Sequence, residues 1–416
     1  MAEGKMRACL AALLTLAIWT GASPLSAQDG DRYIVGIRQG VSLEQGRAVL
    51  RAQGLEVLDE LPGMNLLLVR PAQASPRSFS LARLRFEPAV ARVEADLWTK
   101  WIEASPLSLQ QAPLPSLEAL REQLPAFRPR PPAAKGEAGS QEEEAQWGVR
   151  RLNAPAAWST NQGDGVKVAI IDTGVAPDHP ELMARVAGGF NALDKDKPFA
   201  DDHGHGTHVA GIVAAELDGK GVAGVAPKAV IYGVKVLTKE GSGSAWGIIT
   251  GINWCIENKM QVINMSLGST QSLYTLYDAV QKALAAGVTV VAAAGNDSGA
   301  VNYPAAYPGV IAVSALDKDD AIAKFSSRGE QVAFIAPGVK VLSTVPTFHD
   351  PSGYKAYSGT SMACPHVAGL AALAIAQGAQ GPAAVKEALS SAAQKLPNLS
   401  AAEQGAGVVD ASKFAK

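Results

Sequence analysis

Apolar residues beyond position 146 occur in short continuous runs that alternate with stretches of helical spacing. Six runs read as strands: "VKVAIID", "AVIYGVKVL", "VINMSLG", "VTVVAAAG", "VIAVSAL" and "VAFIAPG". Uninterrupted apolar runs are typical of strands covered on both faces, and the helices between them supply the crossovers of a parallel sheet. The pattern predicts an α/β fold, a mostly parallel sheet with helices on both faces and functional groups at the carboxyl ends of its strands.

Residues 28–102 carry a different pattern, which predicts a separate small α+β domain. "RYIVGIRQ", "LEVLDEL" and "MNLLLVR" read as strands, and a Pro62-Gly63 turn separates the last two. "SLEQGRAVLRAQ" has helical spacing with Ser42 as its cap, and a second helical piece lies near residues 80–86. "AVARVEADLWTKWI" reads as one closing strand. The order β-α-β-β-α-β is the ferredoxin-like arrangement.

Two further segments complete the predicted domain plan. Residues 1–27 have a positively charged start, a short apolar stretch and the small-residue sequence "LSAQ", which indicate a signal peptide. A membrane anchor is the alternative, but the apolar run is too short to span a bilayer comfortably. Residues 103–146 are rich in proline and carry an acidic run at 142–144, so we expect an exposed linker. Residues 147–416 then form the main domain.

Charge and cysteine content narrow the choice of partners. The net charge of the 416-residue chain is -2, which favours neither nucleic acid nor a membrane surface as a partner. Cys9 is removed with the predicted signal peptide, and Cys255 and Cys364 are too few for a disulfide framework. We expect both to be small buried side chains, and a bridge between them is the alternative.

The segment "YSGTSMACPHVAGL" places a serine at the start of an apolar helix. Proline is best tolerated in the first turn of a helix, so Pro365 predicts a helix that begins near Ser361. Ser361 would then lie where free N–H groups and the positive end of the helix dipole meet, a favourable place for a nucleophile. The alternative is a serine that only caps a buried helix.

Other polar residues follow predicted strands or enter helices. Asp172 ends "VAIID", Asn296 ends "VVAAAGN", and His205 lies between two glycines in "HGHGTHVAG". Each could be structural, for example a turn-forming residue. His203, His205 and His208 could also ligate a metal, but no HExxH motif supports that alternative. We expect His366, inside the Ser361 helix, to be a core histidine.

Together these residues resemble the subtilisin-type serine proteases of the subtilase family, which have the chain order Asp, His, Ser. The motifs that carry the resemblance run from about Gln146 to the C-terminus. They are "IIDTGV", "HGTHVAG", "GVAP", "VINMSLG", "VVAAAGN", "FSSRG", "APG" and "GTSMACPHVAG". A Gly-x-Ser-x-Gly elbow is absent, which argues against an α/β-hydrolase.

The resemblance implies a serine endopeptidase that forms an acyl-enzyme on Ser361. His205 would be the general base and acid, Asp172 would orient it, and the Ser361 N–H and the Asn296 side chain would form the oxyanion hole. It also implies that Ser266, Leu267 and Gly268 pair with an extended protein or peptide substrate. Asn302 would lie at the back of a pocket for a large apolar residue before the cut, with broad specificity.

The resemblance extends to the N-terminal block and to a metal site. Residues 28–102 resemble the subtilisin propeptide, which implies a self-processed zymogen whose prodomain is both folding aid and inhibitor. The cut would fall between 102 and 146. "AAELDGKGVAG" matches a calcium-binding loop, and mixed oxygen ligands suit Ca²⁺. The implied ligands are Gln146, Glu181, Glu216, Asp218, Lys220 and Val222.

Two alternatives to a general secreted protease stay open. One is a catalytically silent subtilase scaffold that binds peptides, and the other is a dedicated processing protease. We expect a secreted monomer, either extracellular or periplasmic.

Overall fold

The computed structural model describes residues 32–72, 81–102 and 146–415. The predicted signal peptide and nearly all of the predicted linker therefore lie outside the described residues. The boundaries assigned to them stay predictions.

The N-terminal unit is a four-stranded antiparallel sheet with the order β2-β3-β1-β4. Its elements are β1 Tyr33–Ile37, α1 Leu43–Ala52, β2 Leu55–Leu61, a 3₁₀ turn Pro62–Met64, β3 Leu66–Pro71, α2 Leu81–Leu84 and β4 Val90–Ala95. Ser42 caps α1 in a capping box with Gln45, as its sequence predicts. The expected β-α-β-β-α-β order is present, and the ferredoxin-like assignment of this unit stays a prediction.

Alternating residues of this small sheet face two different cores. Val35, Leu67 and Val69 pack in a core beneath α1. Ile34 and Leu68 face the other way, into a core shared with the main domain. Because side chains alternate along a strand, one sheet can close its own core and dock on the main domain at once.

The predicted closing strand "AVARVEADLWTKWI" is wrong as a single element. β4 ends at Ala95, and a separate strand, β5 Trp98–Lys100, pairs with β9 Ser242–Ser244 of the main domain. The break falls at Asp96, whose carboxylate accepts hydrogen bonds from the Arg32 side chain at 2.5 Å and from Trp246 N at 2.8 Å. These bonds hold the chain where it leaves one sheet for the other.

The main domain is built on seven parallel strands in the order β13-β12-β11-β10-β6-β8-β7. They are β6 Lys167–Asp172, β7 Val186–Asn191, β8 Val230–Lys235, β10 Val262–Met265, β11 Thr289–Ala293, β12 Ile311–Leu316 and β13 Val332–Pro337. All six predicted strands are present. The sequence did not predict β7, because "VAGGFN" contains two glycines and is mostly half-buried, so it lacks a continuous apolar run.

Helices cover both faces of this sheet, which confirms the predicted α/β class. They are α3 Trp147–Arg151, α4 Ala154–Ala157, α5 His205–Ala214, α6 Ala245–Glu257, α7 Tyr274–Ala285, α8 Thr360–Ala376, α9 Gly381–Ala392 and α10 Ala401–Gln404. In β6, Val168 and Ile170 face the core that contains α5 and α8, whereas Ala169 and Ile171 face the core that contains α6 and α7.

Short elements complete the described chain. They are the antiparallel pair β14 Val341–Thr344 and β15 Tyr354–Tyr357, the pair β16 Ala393–Gln394 and β17 Val408–Val409, and a 3₁₀ turn Ala411–Phe414. Cys255 and Cys364 are both buried and unbridged. Within the described ranges no single helix is long and apolar enough to cross a membrane, and one pair bent by 105°, α8 with α9, passes that test by length and composition.

Candidate active site

Asp172 and His205 form a buried hydrogen-bonded pair where β6 ends and α5 begins. His205 Nδ1 lies 2.8 and 3.0 Å from the two carboxylate oxygens of Asp172, and Thr173 N donates to Asp172 Oδ1 at 2.7 Å. A buried carboxylate is stable only when it is hydrogen-bonded, as this one is. With Nδ1 hydrogen-bonded to the carboxylate, a neutral His205 has Nε2 as its acceptor.

Ser361 is the second residue of α8, and its hydrogen bonds are reciprocal with Ser266. The Ser361 hydroxyl donates to Ser266 O at 3.1 Å, and the Ser266 hydroxyl donates to Ser361 O at 2.8 Å. The N-cap, Gly359, has no side chain with which to cap the first N–H groups. The backbone N–H of Ser361 therefore lies at the open, positive end of a long buried helix.

Pro365 corrects one expectation. It lies inside α8 in the second turn, not the first. A proline has no N–H, so the carbonyl four residues earlier, that of Ser361, loses its helical donor. The Ser266 hydroxyl takes the place of that donor. The prediction that a helix begins near Ser361 is confirmed, and the bond from Ser266 explains how this helix tolerates a proline in its second turn.

Asn296 follows β11 and is oriented by Thr360. Its Oδ1 accepts hydrogen bonds from Thr360 N at 2.8 Å and from Thr360 Oγ1 at 3.0 Å. The amide nitrogen is thereby directed away from Thr360. The pocket beside it is also lined by Ser361, Asn302 and Gly295. A fixed amide donor thus shares one pocket with a serine at a helix N-terminus.

The chain segment that leaves the N-terminal unit lies in this same cleft. β5 pairs with β9, Trp101 N donates to Gly241 O at 3.0 Å, and Gly268 N donates to Trp101 O at 3.0 Å. The Trp101 indole, 3% exposed, donates to Gly243 O at 2.9 Å. An extended segment therefore runs between two backbone edges and reaches the pocket that contains Ser361.

A profile of the subtilase family matches residues 163–407 of the chain. The chain belongs to the subtilase family. It is 35% identical to subtilisin E of Bacillus subtilis (strain 168) in an alignment of 415 positions that covers 96% of each chain. It is 45% identical over 243 residues to an intracellular serine protease of Paenibacillus polymyxa, covering 56% of this chain and 73% of that one. It also matches the minor extracellular protease Epr of Bacillus subtilis, of which it spans 35% at 45% identity.

Membership confirms the predicted subtilisin-type serine protease and its class, serine endopeptidase. The structure of this subtilase brings together Asp172 and His205, and it places Ser361 and Asn296 in one pocket. It does not join His205 to Ser361 by a hydrogen bond, because the serine hydroxyl is turned to Ser266 O. Of the predicted substrate-binding residues, Leu267, Gly268 and Asn302 line that pocket, and Ser266 supports the serine.

Among the described residues, no three His, Cys, Asp or Glu side chains are grouped so that they could hold a metal ion. His208 Nε2 lies 3.1 Å from Val341 O and 2.9 Å from Lys355 O, and His205 faces Asp172. Burial lowers the pKa of His208 to about 3. His366 is fully buried as expected, its Nδ1 lies 2.8 Å from Met362 O, and burial lowers its pKa to about 4.

The predicted calcium ligands do lie near one another. Glu181 O accepts from Glu216 N at 3.0 Å, and Gln146 contacts both Gly221 O and Ala223 N. Glu181 is 4% exposed, and its Oε2 is buried without a hydrogen-bond partner. Burial raises the pKa of Glu181, and the nearby carboxylates of Asp218 and Glu216 raise it further.

Sequence reasoning missed several residues that shape the site. The cleft edge at Gly241–Ser244 was not predicted, because "GSG" reads as a turn, and neither was the role of Thr360 in orienting Asn296. Lys235 and Asp201 were missed as well: each is buried and bonded to the segments that carry Asp172 and His205. A lysine ending the apolar run "VIYGV" was the only available signal for the first of these.

Proposed function

We propose that this subtilase is a secreted endopeptidase of broad specificity that forms an acyl-enzyme on Ser361 and matures by cutting itself. The observation that carries the proposal is the buried Asp172–His205 pair at the start of α5, a helix that packs on α8, whose first turn places Ser361 in one pocket with Asn296. An oriented imidazole, a serine at a helix N-terminus and a fixed amide donor are the groups that acyl transfer through a serine requires.

In the proposed reaction, the Ser361 hydroxyl turns from Ser266 O to His205 and attacks the scissile carbonyl. Hydrogen bonds of catalytic groups are often loose before substrate binds, so the observed orientation is compatible with this step. His205 Nε2 takes the hydroxyl proton and passes it to the leaving amine. Water then attacks the ester, gives its proton to His205, and Ser361 recovers a proton as the acid leaves.

Negative charge develops on the carbonyl oxygen in each tetrahedral intermediate. The N–H of Ser361 and the amide nitrogen of Asn296 would donate to that oxygen. Both are fixed before substrate arrives, one by α8 and the other by Thr360. Preorganised donors of this kind stabilise the transition state more than the ground state.

Substrate recognition would depend mainly on backbone pairing. The segment Trp98–Lys100 pairs antiparallel with Ser242–Ser244, and Gly268 contacts Trp101 from the other side. Main-chain pairing of this kind reads little sequence, so pockets set the preference. The neighbouring pocket is lined in part by Leu267, Ala293 and Asn302, and its apolar lining residues support a preference for a large apolar residue before the cut.

The position of residues 98–102 supports a self-processed zymogen. They fill the cleft as a peptide substrate would, still joined to the N-terminal unit, which packs on α6 and α7. We place the cut beyond Ile102 and before Trp147. Until it is released, this segment would block the site, so the N-terminal unit would act as an inhibitor.

A structural Ca²⁺ fits the loop around Glu181. An unpartnered buried carboxylate oxygen next to two further acidic residues is costly without a cation. Glu181, Asp218 and Gln146 would supply side-chain oxygens, and Glu216, Lys220 and Val222 would supply carbonyls. When bound, the ion would neutralise this loop and stabilise the fold, and it would take no part in peptide hydrolysis.

Secretion is proposed from residues 1–27, which have the pattern of a signal peptide. One relative is named an extracellular protease and another an intracellular one. Fractionation of cells that make the full chain tests this point: Ser361→Ala protein that lacks residues 1–27 and lies outside the cytoplasm would support it, and full-length protein in the cytoplasm would contradict it.

The decisive test of the function is labelling with a fluorophosphonate, followed by mapping of the labelled peptide and assays on casein. We expect label on Ser361, and we expect Ser361→Ala to lose both label and hydrolysis. Ser390→Ala, at an exposed position on α9, should keep both. An unlabelled wild type without activity would favour the silent scaffold, and strict cleavage of one motif in a peptide library would favour a dedicated processing protease.

A further inference from the structure

Lys235 is a buried cation at the carboxyl end of β8. Its side chain is 7% exposed, and Nζ donates to Thr173 O at 2.7 Å, Asp202 Oδ1 at 2.6 Å and Leu237 O at 2.9 Å. An ammonium group has three donors, and here each has an acceptor. Burial of a charge is expensive unless it is satisfied in this way, so the position is built to hold one.

The three acceptors belong to three segments of the active site. Thr173 follows Asp172 at the end of β6, Asp202 lies three residues before His205, and Leu237 begins the segment that leads to the cleft edge β9. Lys235 thus joins the segments that present the carboxylate, the imidazole and the substrate-binding edge.

Asp201 completes the connection between the first two segments. It is 5% exposed and accepts five hydrogen bonds. The donors are Thr173 Oγ1 at 2.8 Å, His203 N at 3.0 Å, Gly204 N at 2.9 Å, Thr207 N at 2.9 Å and Thr207 Oγ1 at 2.6 Å. Thr173 Oγ1 in turn accepts from Gly206 N at 3.0 Å. The start of α5 is therefore held from both sides of His205.

The charge of Lys235 lies next to the catalytic pair. In the parallel register of β6 and β8, Lys235 is the partner of Asp172. The charged and titratable groups that face this region are Asp172, Asp201, Asp202, His203, His208 and, beyond His203, His349. Lys235 is the one lysine in this described set, and of its carboxylates only Asp202, whose side chain is 52% exposed, pairs with it.

We propose that Lys235 is a positioning residue for peptide hydrolysis, which aligns His205 with Asp172 and holds a fixed positive charge beside this pair. The inference rests on the proposed roles of Asp172 and His205. His205 must be neutral to accept the proton of Ser361. A fixed positive charge nearby disfavours a second one on the imidazole, so the acid limb of activity moves to lower pH.

The test is the pH profile of kcat/KM for an uncharged peptide substrate at low salt, measured on Lys235→Met. We expect kcat to fall about tenfold with little change in KM, because misaligned catalytic groups lower turnover. We also expect the acid limb to move to higher pH by about 0.5 unit, a modest shift for one charge at close range. A matched control is Lys228→Met, because Lys228 precedes the same strand at its opposite end and pairs with exposed Asp164.

A second variant gives a shift of opposite sign. Asp202→Asn removes the partially exposed negative partner, so the positive charge of Lys235 acts on His205 with less opposition. The acid limb should then move to lower pH by a similar amount, and Lys235→Met combined with Asp202→Asn should return near the wild-type value. A role in stability alone would predict lower activity without opposite shifts.

Opposite shifts with unchanged Lys228→Met would support the proposal. If Lys235→Met does not fold, the Asp202→Asn shift alone decides. An acid limb that stays in place in Asp202→Asn, or moves in the same direction in both variants, would overturn it. Failure of the proposed function is distinguishable, because the wild type would then take no fluorophosphonate label on Ser361.

Discussion

The Asn296 side chain shows how one residue is prepared for chemistry by its neighbour. Its oxygen is occupied twice by Thr360, and Thr360 Oγ1 also accepts from Gly295 N at 3.1 Å. An amide with its acceptor engaged presents its nitrogen elsewhere, and here that direction is the pocket beside Ser361. The orientation of the Asn296 amide therefore comes from Thr360, the first residue of α8, which also carries Ser361.

Replacing Asn296 by alanine should reduce kcat by about 10²–10³-fold with little change in KM, the loss measured when one such donor is removed from subtilisin. The reason is that the donor acts on charge present only in the transition state. Steady-state kinetics on a peptide amide measure both constants. Asn258→Ala, an exposed residue after α6, is the control. A change confined to KM would contradict the assigned role.

His366 makes stability depend on pH. Burial lowers its pKa from the ordinary 6.5 to about 4, so between these values the unfolded chain binds a proton that the folded chain does not. The contribution of the neutral His366 side chain to the free energy of unfolding is therefore complete above pH 6.5 and is lost as the pH falls toward 4. Linkage gives a slope of about 1.4 kcal/mol per pH unit over that window for one such group.

Asparagine at position 366 should remove this slope, because its amide could still donate to Met362 O but does not titrate. We expect the free energy of unfolding of Ser361→Ala protein to fall less steeply from pH 6.5 to 4.5 when His366→Asn is added. Urea titrations at several pH values measure it, and the Ser361→Ala background prevents autolysis. Equal slopes in both proteins would contradict the assignment.

At the scale of elements, continuous apolar runs proved a reliable guide to six of the seven parallel strands. Such runs reflect burial on both faces, a property that the residues carry themselves. β7 lacks this pattern because glycine is required where the Phe199 ring packs on the sheet. The ring lies against Gly189 of β7 and Gly233 of the neighbouring strand β8. The split between β4 and β5 could not be predicted either, because it depends on Trp246 and Gly241, far away in sequence.

The residues of the candidate site also fall into those that the sequence predicts and those that it does not. Asp172, His205, Ser361 and Asn296 each stand at a strand or helix end within a local motif, so a sequence displays them. Lys235, Asp201 and Thr360 act through hydrogen bonds to distant segments, and no local pattern reports such partners. The edge at Gly241–Ser244 is recognisable only once β5 lies against it.

Helix α7 depends on the N-terminal unit for its cap. Its N-cap Leu273 offers no side-chain acceptor, but the Glu94 carboxylate accepts from Tyr274 N at 2.9 Å and from Thr275 N at 2.7 Å. A carboxylate at a helix N-terminus satisfies free N–H groups and interacts favourably with the dipole. One element of the predicted prodomain therefore stabilises an element of the protease domain.

We expect Glu94→Ala, in the Ser361→Ala chain, to lower the free energy of unfolding by about 1–2 kcal/mol. Glu56→Ala is the matched control, because Glu56 pairs with Arg70 on the exposed surface of the same sheet and should cost about 0.5 kcal/mol or less. Denaturant unfolding of both proteins makes the comparison. Equal losses would show that the Glu94 contact adds nothing to an ordinary surface carboxylate.

For the whole molecule, the loop around Glu181 predicts a dependence of stability on calcium. A ligand that binds only the folded state at about 100 times its Kd stabilises by about 2.7 kcal/mol. Calorimetry of the Ser361→Ala chain should show a higher Tm with Ca²⁺ than with a chelator. Glu181→Gln should lose most of that difference, whereas Glu330→Gln, at an exposed position, should keep it. A Tm insensitive to chelator would contradict the calcium proposal.

Maturation is the property that involves every part of the chain at once. The N-terminal unit packs on α6 and α7, its last strand lies in the cleft, and the described chain resumes at Gln146 beside the Glu181 loop. Intact masses of wild type and Ser361→Ala should therefore differ. Wild type should yield a fragment that begins between 103 and 147, and Ser361→Ala should keep the N-terminal unit.

The kinetics of maturation show whether the cut occurs within one molecule. A rate of maturation that is independent of protein concentration would identify a cut within one molecule, and cleavage of Ser361→Ala only after added wild type would identify a cut between molecules. If both proteins were processed alike when made alone, another protease would be responsible, and residues 98–102 would then inhibit the site without being cut by it.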